Sequence, residues 1–157
     1  MRRVHRAVAA LSVAVLAMTT TPFVGIADAD DTGGYWLTRA DGGVFPHGSA
    51  STTFGPASVI RGLREPIVGI APTPSRDGYW LVAADGGVFA FGNAEFFGSM
   101  GGQPLNSPIV GMASTVDGGV YWLVSRDGGV FSFGNAQFMG SRTDYQQQPF
   151  AGIASSA

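Results

Sequence analysis

Side chains that could carry out acid–base or nucleophilic chemistry are scarce in this sequence. Its 157 residues include nine basic side chains, eleven carboxylates and two histidines, and no cysteine. Thiol catalysis, disulfides and cysteine metal sites are therefore excluded, and the basic patch that nucleic-acid binding requires is missing. Five aspartates each precede a glycine, which is typical of turns in which the carboxylate bonds to the local backbone. They are Asp41, Asp77, Asp85, Asp117 and Asp127.

Two further arrangements could support hydrolysis. Glu65 and Glu95 lie outside turn motifs, but a glycosidase needs its two carboxyl groups about 5–9.5 Å apart, and these two lie in different repeat units. His47 could act as the base of a Ser-His-Asp site with Ser49 or Ser51, yet no Gly-x-Ser-x-Gly motif is present. We therefore predict a non-enzyme without metal or cofactor, and a small secreted hydrolase is the alternative.

Aromatic side chains are the remaining candidates, because their faces can stack on sugar rings. Three Tyr-Trp pairs stand in mid-strand sequences where both faces are expected to be buried, so core packing is the favoured interpretation. The pairs are Tyr35-Trp36, Tyr79-Trp80 and Tyr121-Trp122. Asn93 and Asn135 are alternative polar contributors to a repeated site, although turn stabilisation is their expected role. The sequence assigns no ligand-binding residue.

Residues 1–29 have the pattern of a secretory signal peptide. Arg2, Arg3 and Arg6 precede an apolar stretch that is shorter than the about 20 residues of a membrane span. Small residues at 27–29 predict cleavage before Asp30, with a retained N-terminal anchor as the alternative. We therefore expect 30–157 to be one secreted domain without a membrane span, associated with the cell wall.

The rest of the sequence consists of three copies of one unit. A Tyr-Trp-Leu segment leading into Asp-Gly-Gly-Val-Phe recurs with tryptophans at 36, 80 and 122, so the period is 44 and then 42 residues. A Pro-x-x-Gly-x-Ala block recurs at 66–71, 108–113 and 149–154, and a Phe-Gly-Asn-Ala block at 91–99 and 133–141. The predicted units are approximately 34–65, 66–107 and 108–148, followed by a closing strand at 149–154.

Each unit is predicted to form four short antiparallel strands and almost no helix. In the third unit these are 109–114, 120–125, 130–133 and 136–139, with Asp-Gly-Gly as a tight hairpin turn. The second strand is apolar on both faces, whereas a half-solvated sheet alternates apolar and polar residues. We therefore predict an all-β fold of three four-stranded, propeller-like blades, with a β-trefoil as the alternative.

The second unit also resembles a known repeat. Gly78-Tyr-Trp-Leu-Val-Ala-Ala-Asp-Gly-Gly-Val-Phe-Ala-Phe-Gly92, followed by Pro108-Ile-Val-Gly-Met-Ala113, is similar to a repeat found in tandem in secreted and cell-wall-associated bacterial proteins, sometimes beside hydrolase domains. The resemblance covers nearly all of 34–154 and implies β-propeller blades in an extracytoplasmic module. It assigns no catalytic residue. The sequence departs from longer members in having three units and no attached domain, and in Pro46-His47-Gly48-Ser49 of its first unit.

The phase of the repeat leads to an expectation about assembly. A chain that begins at Asp30 starts at the second strand of a unit, and residues 149–154 resemble the first strand of one. We therefore predict that 149–154 completes the first blade beside 35–38. Three blades fall below the usual four to eight, so two chains are expected to pair into a six-bladed ring; a trefoil-like monomer and a fragment of a longer propeller are the alternatives.

The expected function is that of a non-catalytic binding module at the cell envelope. Its ligand would be a cell-wall carbohydrate or an envelope protein, and a purely structural, self-assembling role is a further alternative. No nucleic-acid partner is expected, since the sequence carries a net charge of −2 and its Gly-rich runs precede no helix that would hold a phosphate.

Overall fold

A computed structural model of the chain describes residues 21–29, 33–50, 53–55, 60–144 and 148–155. Within these ranges the chain forms nine β-strands and no helix, and accordingly no helix there could cross a membrane. The strands are β1 (Phe23–Asp28), β2 (Tyr35–Arg39), β3 (Val44–His47), β4 (Ile67–Pro72), β5 (Gly78–Ala83), β6 (Val88–Gly92), β7 (Ile109–Ser114), β8 (Val120–Ser125) and β9 (Val130–Gly134). The prediction of an all-β fold is therefore confirmed.

The strands form three antiparallel sheets of three strands each, in chain order. Sheet 1 is β1-β2-β3, sheet 2 is β4-β5-β6 and sheet 3 is β7-β8-β9. The register is the same in each: the tyrosine of the middle strand lies opposite the fourth residue of the third strand, as in Tyr79 opposite Phe91. Each first strand has a register shift just before its glycine, at Gly25, Gly69 and Gly111. The repeated sequence therefore folds into a repeated structure.

The sheets differ from the prediction in their number of strands. Residues 136–139, predicted as the fourth strand of the third unit, form no strand, and the described part of the chain has no four-stranded sheet. The reason is visible in the second unit, where Phe97 of the corresponding segment packs against the neighbouring sheet instead of pairing along β6. No strand pairs across two sheets among the described residues, so they lack the continuous strand pairing of a β-trefoil.

The first sheet contains a strand that the sequence analysis did not anticipate. Residues 23–28 lie in the segment predicted as a signal peptide, and they form β1, which pairs with β2 along its length. Pro22-Phe-Val-Gly-Ile-Ala27 is in fact another copy of the Pro-x-x-Gly-x-Ala block. This internal match could have predicted β1 from the sequence. The same residues also fit the small-residue pattern of a cleavage site, which favoured the signal-peptide interpretation.

The predicted closure of the first sheet by 149–154 is not the observed arrangement. Both edges of β2 are already paired, one with β1 and the other with β3. Residues 149–154 lie beside sheet 3 instead, where the Phe150 N–H donates to the Arg126 carbonyl at 2.9 Å. The same bond at the same position, Ile109 N–H to Ala84 carbonyl, brings β7 beside sheet 2.

Two hydrophobic clusters hold the sheets face to face. Every residue of β5 is buried, and its side chains alternate between the clusters, with Tyr79 and Leu81 toward sheet 1 and Trp80 and Val82 toward sheet 3. The first strands also contact one another in order, β1 with β4 and β4 with β7. The central sheet is therefore buried on both faces, as the two-sided apolar pattern of its middle strand predicts.

Candidate functional site

Four of the six rings of the Tyr-Trp pairs lie in the two junctions between sheets. Trp36 contacts Tyr79 of the next sheet with a centroid distance of 5.2 Å, and Trp80 contacts Tyr121 at 5.6 Å. A phenylalanine from the loop after the third strand completes each group, Phe97 standing 5.7 Å from Tyr121. The tryptophan and phenylalanine of one sheet thus hold the tyrosine of the next. Because Trp36, Tyr79, Trp80 and Tyr121 are all buried, these four rings are part of the core, as the sequence analysis favoured, and are not available to a sugar. Tyr35 and Trp122, at the two ends of the stack, are only half-buried.

Hydrogen bonds fix the junction tyrosines in place. The Gly55 N–H donates to the Tyr79 hydroxyl at 2.9 Å. In the next junction the Phe97 N–H donates to the Tyr121 hydroxyl at 3.2 Å, and that hydroxyl donates to the Gly98 carbonyl at 2.6 Å. Each hydroxyl therefore satisfies backbone groups of the preceding loop, which binds that loop to the next sheet.

These buried tyrosines predict a loss of stability at alkaline pH. Burial raises the pKa of Tyr79 and of Tyr121 above the ordinary value of 10.0, against the opposing effect of the backbone N–H groups that donate to them. The two phenols stay protonated in the folded chain while those of the unfolded chain ionise. The contribution of these two phenols to the free energy of unfolding should therefore be fully present below about pH 10 and be lost as the pH rises further, toward the folded-state pKa.

Urea unfolding followed by tryptophan fluorescence from pH 8 to 11 measures this dependence. Tyr121→Phe should be less stable than the parent at pH 8, because the Gly98 carbonyl loses its donor, and its stability should fall less steeply above pH 10. The sequence contains no lysine, so the other basic groups of the chain add little to the titration there. A parent chain whose stability is flat up to pH 11 would contradict the assignment.

The aspartates that precede glycine serve as turn residues where their contacts are described. In the hairpin between the second and third strands, Asp41, Asp85 and Asp127 each accept a hydrogen bond from the glycine N–H two residues on, at 3.0, 2.9 and 3.3 Å. The Ser125 hydroxyl lowers the pKa of the Asp127 carboxyl, and the Thr115 hydroxyl does the same for Asp117. Both groups are thus held ionised, which suits a hydrogen-bond acceptor rather than a general acid.

The residues considered for hydrolysis are not brought into a catalytic arrangement by any described contact. His47 is exposed and stacks on Tyr35, with centroids 5.2 Å apart and rings 15° from parallel. Ser51 lies outside the described residues. Glu65 and Glu95 are both exposed, one in the loop before β4 and the other in the loop after β6.

Asn93 has a structural role in its own unit. Its side-chain oxygen accepts from the Thr73 hydroxyl at 2.9 Å, and its amide donates to the Ser75 hydroxyl at 2.7 Å. These bonds connect the β4–β5 turn to the end of β6. Asn135 occupies the equivalent position after β9, where it is exposed.

Sheets 2 and 3 carry equivalent clefts at their Asp-Gly-Gly turns, which the sequence analysis did not identify. The cleft on sheet 2 has a volume of about 350 Å³ and that on sheet 3 about 230 Å³. Each is bounded by the loop entering the sheet, the hairpin turn and the loop leaving the third strand. The equivalent lining pairs are Leu63 and Leu105, Arg64 and Asn106, Asp85 and Asp127, Phe89 and Phe131, and Ser99 and Ser141. We call these two sites the turn clefts.

Each turn cleft combines an aromatic ring with polar groups. Phe89 and Phe131 are half-buried, while Arg64 and Asn106 are exposed at the entering loop. A ring beside a small number of polar groups is the composition of a site that orients a small polar ligand. The sequence contained one signal for these clefts, because Phe89 and Phe131 both belong to the recurring Gly-Val-Phe segment. The entering loops, however, differ between units and gave no match.

A third cleft, of about 430 Å³, runs across the first strands. It is lined by consecutive triplets from equivalent positions: Ile26-Ala27-Asp28, Ile70-Ala71-Pro72, Met112-Ala113-Ser114 and Ile153-Ala154-Ser155. These lining residues include no aromatic ring, and the Ser114 hydroxyl already donates to the Pro72 carbonyl at 3.2 Å. The turn clefts are therefore the better-equipped sites for a polar ligand.

Within the described ranges, no group of three or more histidine or carboxylate side chains lies close enough together to hold a metal ion. No protein-family model and no curated protein sequence matches the chain.

Proposed function

We propose that this chain is an exported, non-catalytic repeat module of the β-propeller type that binds carbohydrate polymers of the cell envelope. The pair of turn clefts carries the proposal. The two sites are made of equivalent residues on successive sheets, and a ligand with its own repeat is the kind that occupies equivalent sites together. Facing sheets pack about 10 Å apart, so one polysaccharide chain can extend across both.

The architecture supports the propeller part of the proposal. The three sheets stack face to face through two equivalent junctions, and their first strands line one common cleft. Propellers place sheets around a central channel in this manner. Residues 94–97 would then be an outer segment that packs across the junction between sheets 2 and 3, in the position of a fourth strand.

The chemistry of the turn clefts favours a carbohydrate ligand. The faces of Phe89 and Phe131 offer apolar surface for the C–H face of a sugar ring. Hydroxyl, carboxylate and guanidinium groups around them can bond to sugar hydroxyls, in particular Ser99, Asp85 and Arg64 of the sheet 2 cleft. Because a polymer would engage both clefts, its second contact would be intramolecular and the overall affinity would exceed that of either cleft.

Retention on a panel of insoluble cell-wall polysaccharides tests the proposal. Phe89→Leu and Phe131→Leu each keep the apolar volume and remove the ring face, and we expect each to weaken retention about tenfold. The double variant should fall to background, because avidity of about 10²-fold or more depends on both sites. Phe45→Leu is the matched control, since Phe45 has the same strand position and borders neither turn cleft.

Two results would contradict the proposal. Failure of the parent chain to bind any glycan of the panel would remove the carbohydrate ligand. Release of soluble sugar from a retained polymer would contradict the non-catalytic assignment, and His47→Ala and the Glu65→Gln, Glu95→Gln pair would then identify the groups responsible.

A further inference from the structure

The outer face of sheet 3 is half of a junction. Trp122 and Met139 occupy the positions that Trp80 and Phe97 hold on sheet 2. Phe97 packs 6.4 Å from Trp80 and 5.7 Å from Tyr121 of the following sheet, whereas Met139 is 79% exposed. We call Trp122, Met139 and the adjacent Gly140 the open face.

Two equivalent glycines, Gly98 in the junction between sheets 2 and 3 and Gly140 on the open face, show the same difference in packing. A Cβ atom added to Gly98 would lie 2.8 Å from the ring of Phe133 on the next sheet. The equivalent residue of the open face, Gly140, has nothing within 4 Å of such an atom. The open face therefore has the shape that receives another sheet, although no strand of the described residues covers it.

The complementary half of a junction lies on sheet 1. Tyr79 and Tyr121 are fully buried, each against the tryptophan of the preceding sheet. Tyr35 holds the same position on β2 but is only half-buried, and His47 stands beside it where Phe91 and Phe133 stand in the other sheets. The two ends of the stack thus carry the two sides of one interface that occurs twice within the chain.

Residues 149–154 already occupy the place of a first strand against the open face. Their hydrogen bond, Phe150 N–H to Arg126 carbonyl, repeats the bonds that place β4 and β7. A Cβ on Gly111 would meet the Gly152 Cα at 3.2 Å, so the two backbones approach closely. None of the strands described in the structure pairs with 149–154. The segment differs from Pro22–Ala27, which forms most of β1, at one residue of six.

We propose that a second copy of this chain completes the junction, its β2–β3 hairpin pairing with residues 149–154 of the first copy in place of its own β1. Cleavage before Asp30 removes β1 and leaves one edge of β2 unpaired. The chain's own residues 149–154 cannot fill this edge of β2, because they lie against sheet 3 and sheet 2 separates them from sheet 1. The edge is therefore filled by residues 149–154 of the other copy. Reciprocal exchange gives a closed pair with two-fold symmetry and six sheets.

In this arrangement two copies can pair only after cleavage before Asp30 has removed β1. While β1 is present, β2 is paired on both edges and has no backbone groups free for another strand. The inference rests on the export in the proposed function and does not use the turn clefts, so glycan binding and pairing can fail separately.

The test uses the full chain, secreted from a bacterial host and recovered from the medium. Mass spectrometry defines its N-terminus, and sedimentation velocity at micromolar concentration defines its assembly. We expect a chain that begins at Asp30 and sediments with twice its own mass. Circular dichroism of every variant reports that the β-structure is retained.

Two substitutions separate pairing from folding. Gly152→Val is harmless in a single copy, because nothing lies within 4 Å of a Cβ there. In the pair it would strike the second copy's Thr38, since a Cβ on the corresponding Gly25 would lie 3.0 Å from the Thr38 methyl. Met139→Asp would place a carboxylate against the second copy's Tyr35. Both variants should dissociate at least tenfold more readily, whereas Val116→Asp, at an exposed turn residue, should pair like the parent.

Three results would overturn the proposal. The first is a parent chain that sediments with the mass of one copy. The second is a pair that is unaffected by both Gly152→Val and Met139→Asp in folded protein. The third is a pair formed by a chain that retains residues 22–29, because β1 would then still occupy the edge of β2.

Discussion

Trp80→Ala is expected to lower the free energy of unfolding by about 3–5 kcal/mol, the range for removing a large aromatic side chain from a packed core. Trp80 is 1% exposed and touches two rings of its junction, Phe97 and Tyr121. Its indole N–H also donates to the Glu95 carbonyl at 2.7 Å. The substitution therefore leaves a cavity between sheets 2 and 3 and a carbonyl without its donor.

Equilibrium urea unfolding with a circular dichroism readout measures the loss. Phe96→Ala is the control, because Phe96 is adjacent to Phe97 but 56% exposed, and we expect a change within about 0.5 kcal/mol. Equal effects of the two substitutions would mean that the junction is not the core of this fold. Stabilities should be compared at the same protein concentration, since self-association adds to the apparent value.

Gly92→Ala is expected to be at least as damaging, for a reason that lies in the backbone. Gly92 ends β6 with φ at +67°, a left-handed conformation that costs an L-residue about 1–2 kcal/mol. A Cβ atom would also overlap the Asp77 carbonyl oxygen and approach the Gly78 Cα. Neither neighbour can rotate away, so the β5–β6 pairing would have to open at that end. We expect a loss above about 4 kcal/mol or a chain that does not fold.

Gly62→Ala separates the two contributions. Gly62 has a similar φ of +83° but nothing within 4 Å of an added Cβ, so it should lose only about 1 kcal/mol. If Gly92→Ala does not fold, Gly134→Ala offers the same test at the equivalent position of sheet 3. An added Cβ there would lie 2.7 Å from the Gly119 carbonyl oxygen, which is farther than the Cβ of Gly92→Ala would lie from the Asp77 oxygen. We therefore expect this variant to fold well enough to be measured. The prediction fails if Gly62→Ala and Gly92→Ala have the same free energy of unfolding.

Sequence reasoning predicted the strands inside each repeat unit, and their boundaries, better than the segments at either end of a unit. Strands β4 to β9, the Asp-Gly-Gly turns and the burial of both faces of β5 follow from local patterns, because hairpins depend on residues close in sequence. The fourth strand was wrong because residues such as Phe97 have strand-like composition, yet their burial comes from a neighbouring sheet. That choice depends on tertiary packing, which local propensity does not encode.

The first strand and the turn clefts were missed for different physical reasons. Pro22–Ala27 satisfies two patterns at once, since small and apolar residues suit both a cleavage region and a buried first strand. The clefts form where loops of different sequence meet, as Arg64 in one unit and Asn106 in the next illustrate. The Leu, Asp, Phe and Ser positions of the clefts do recur. In the sequence, however, the Asp and Phe positions had sufficient explanation as turn and strand residues.

Among the nine described strands, the contacts between first strands run from one sheet to the next, β1 to β4 and β4 to β7. The stability of such a molecule is close to a sum of terms for each sheet and each junction, as in linear repeat arrays. In a single copy, sheet 2 contributes to both junctions, whereas each outer sheet contributes to one. Fraying should therefore start at sheets 1 and 3 and move inward, and the amide protons of β5 should be the last to exchange with solvent.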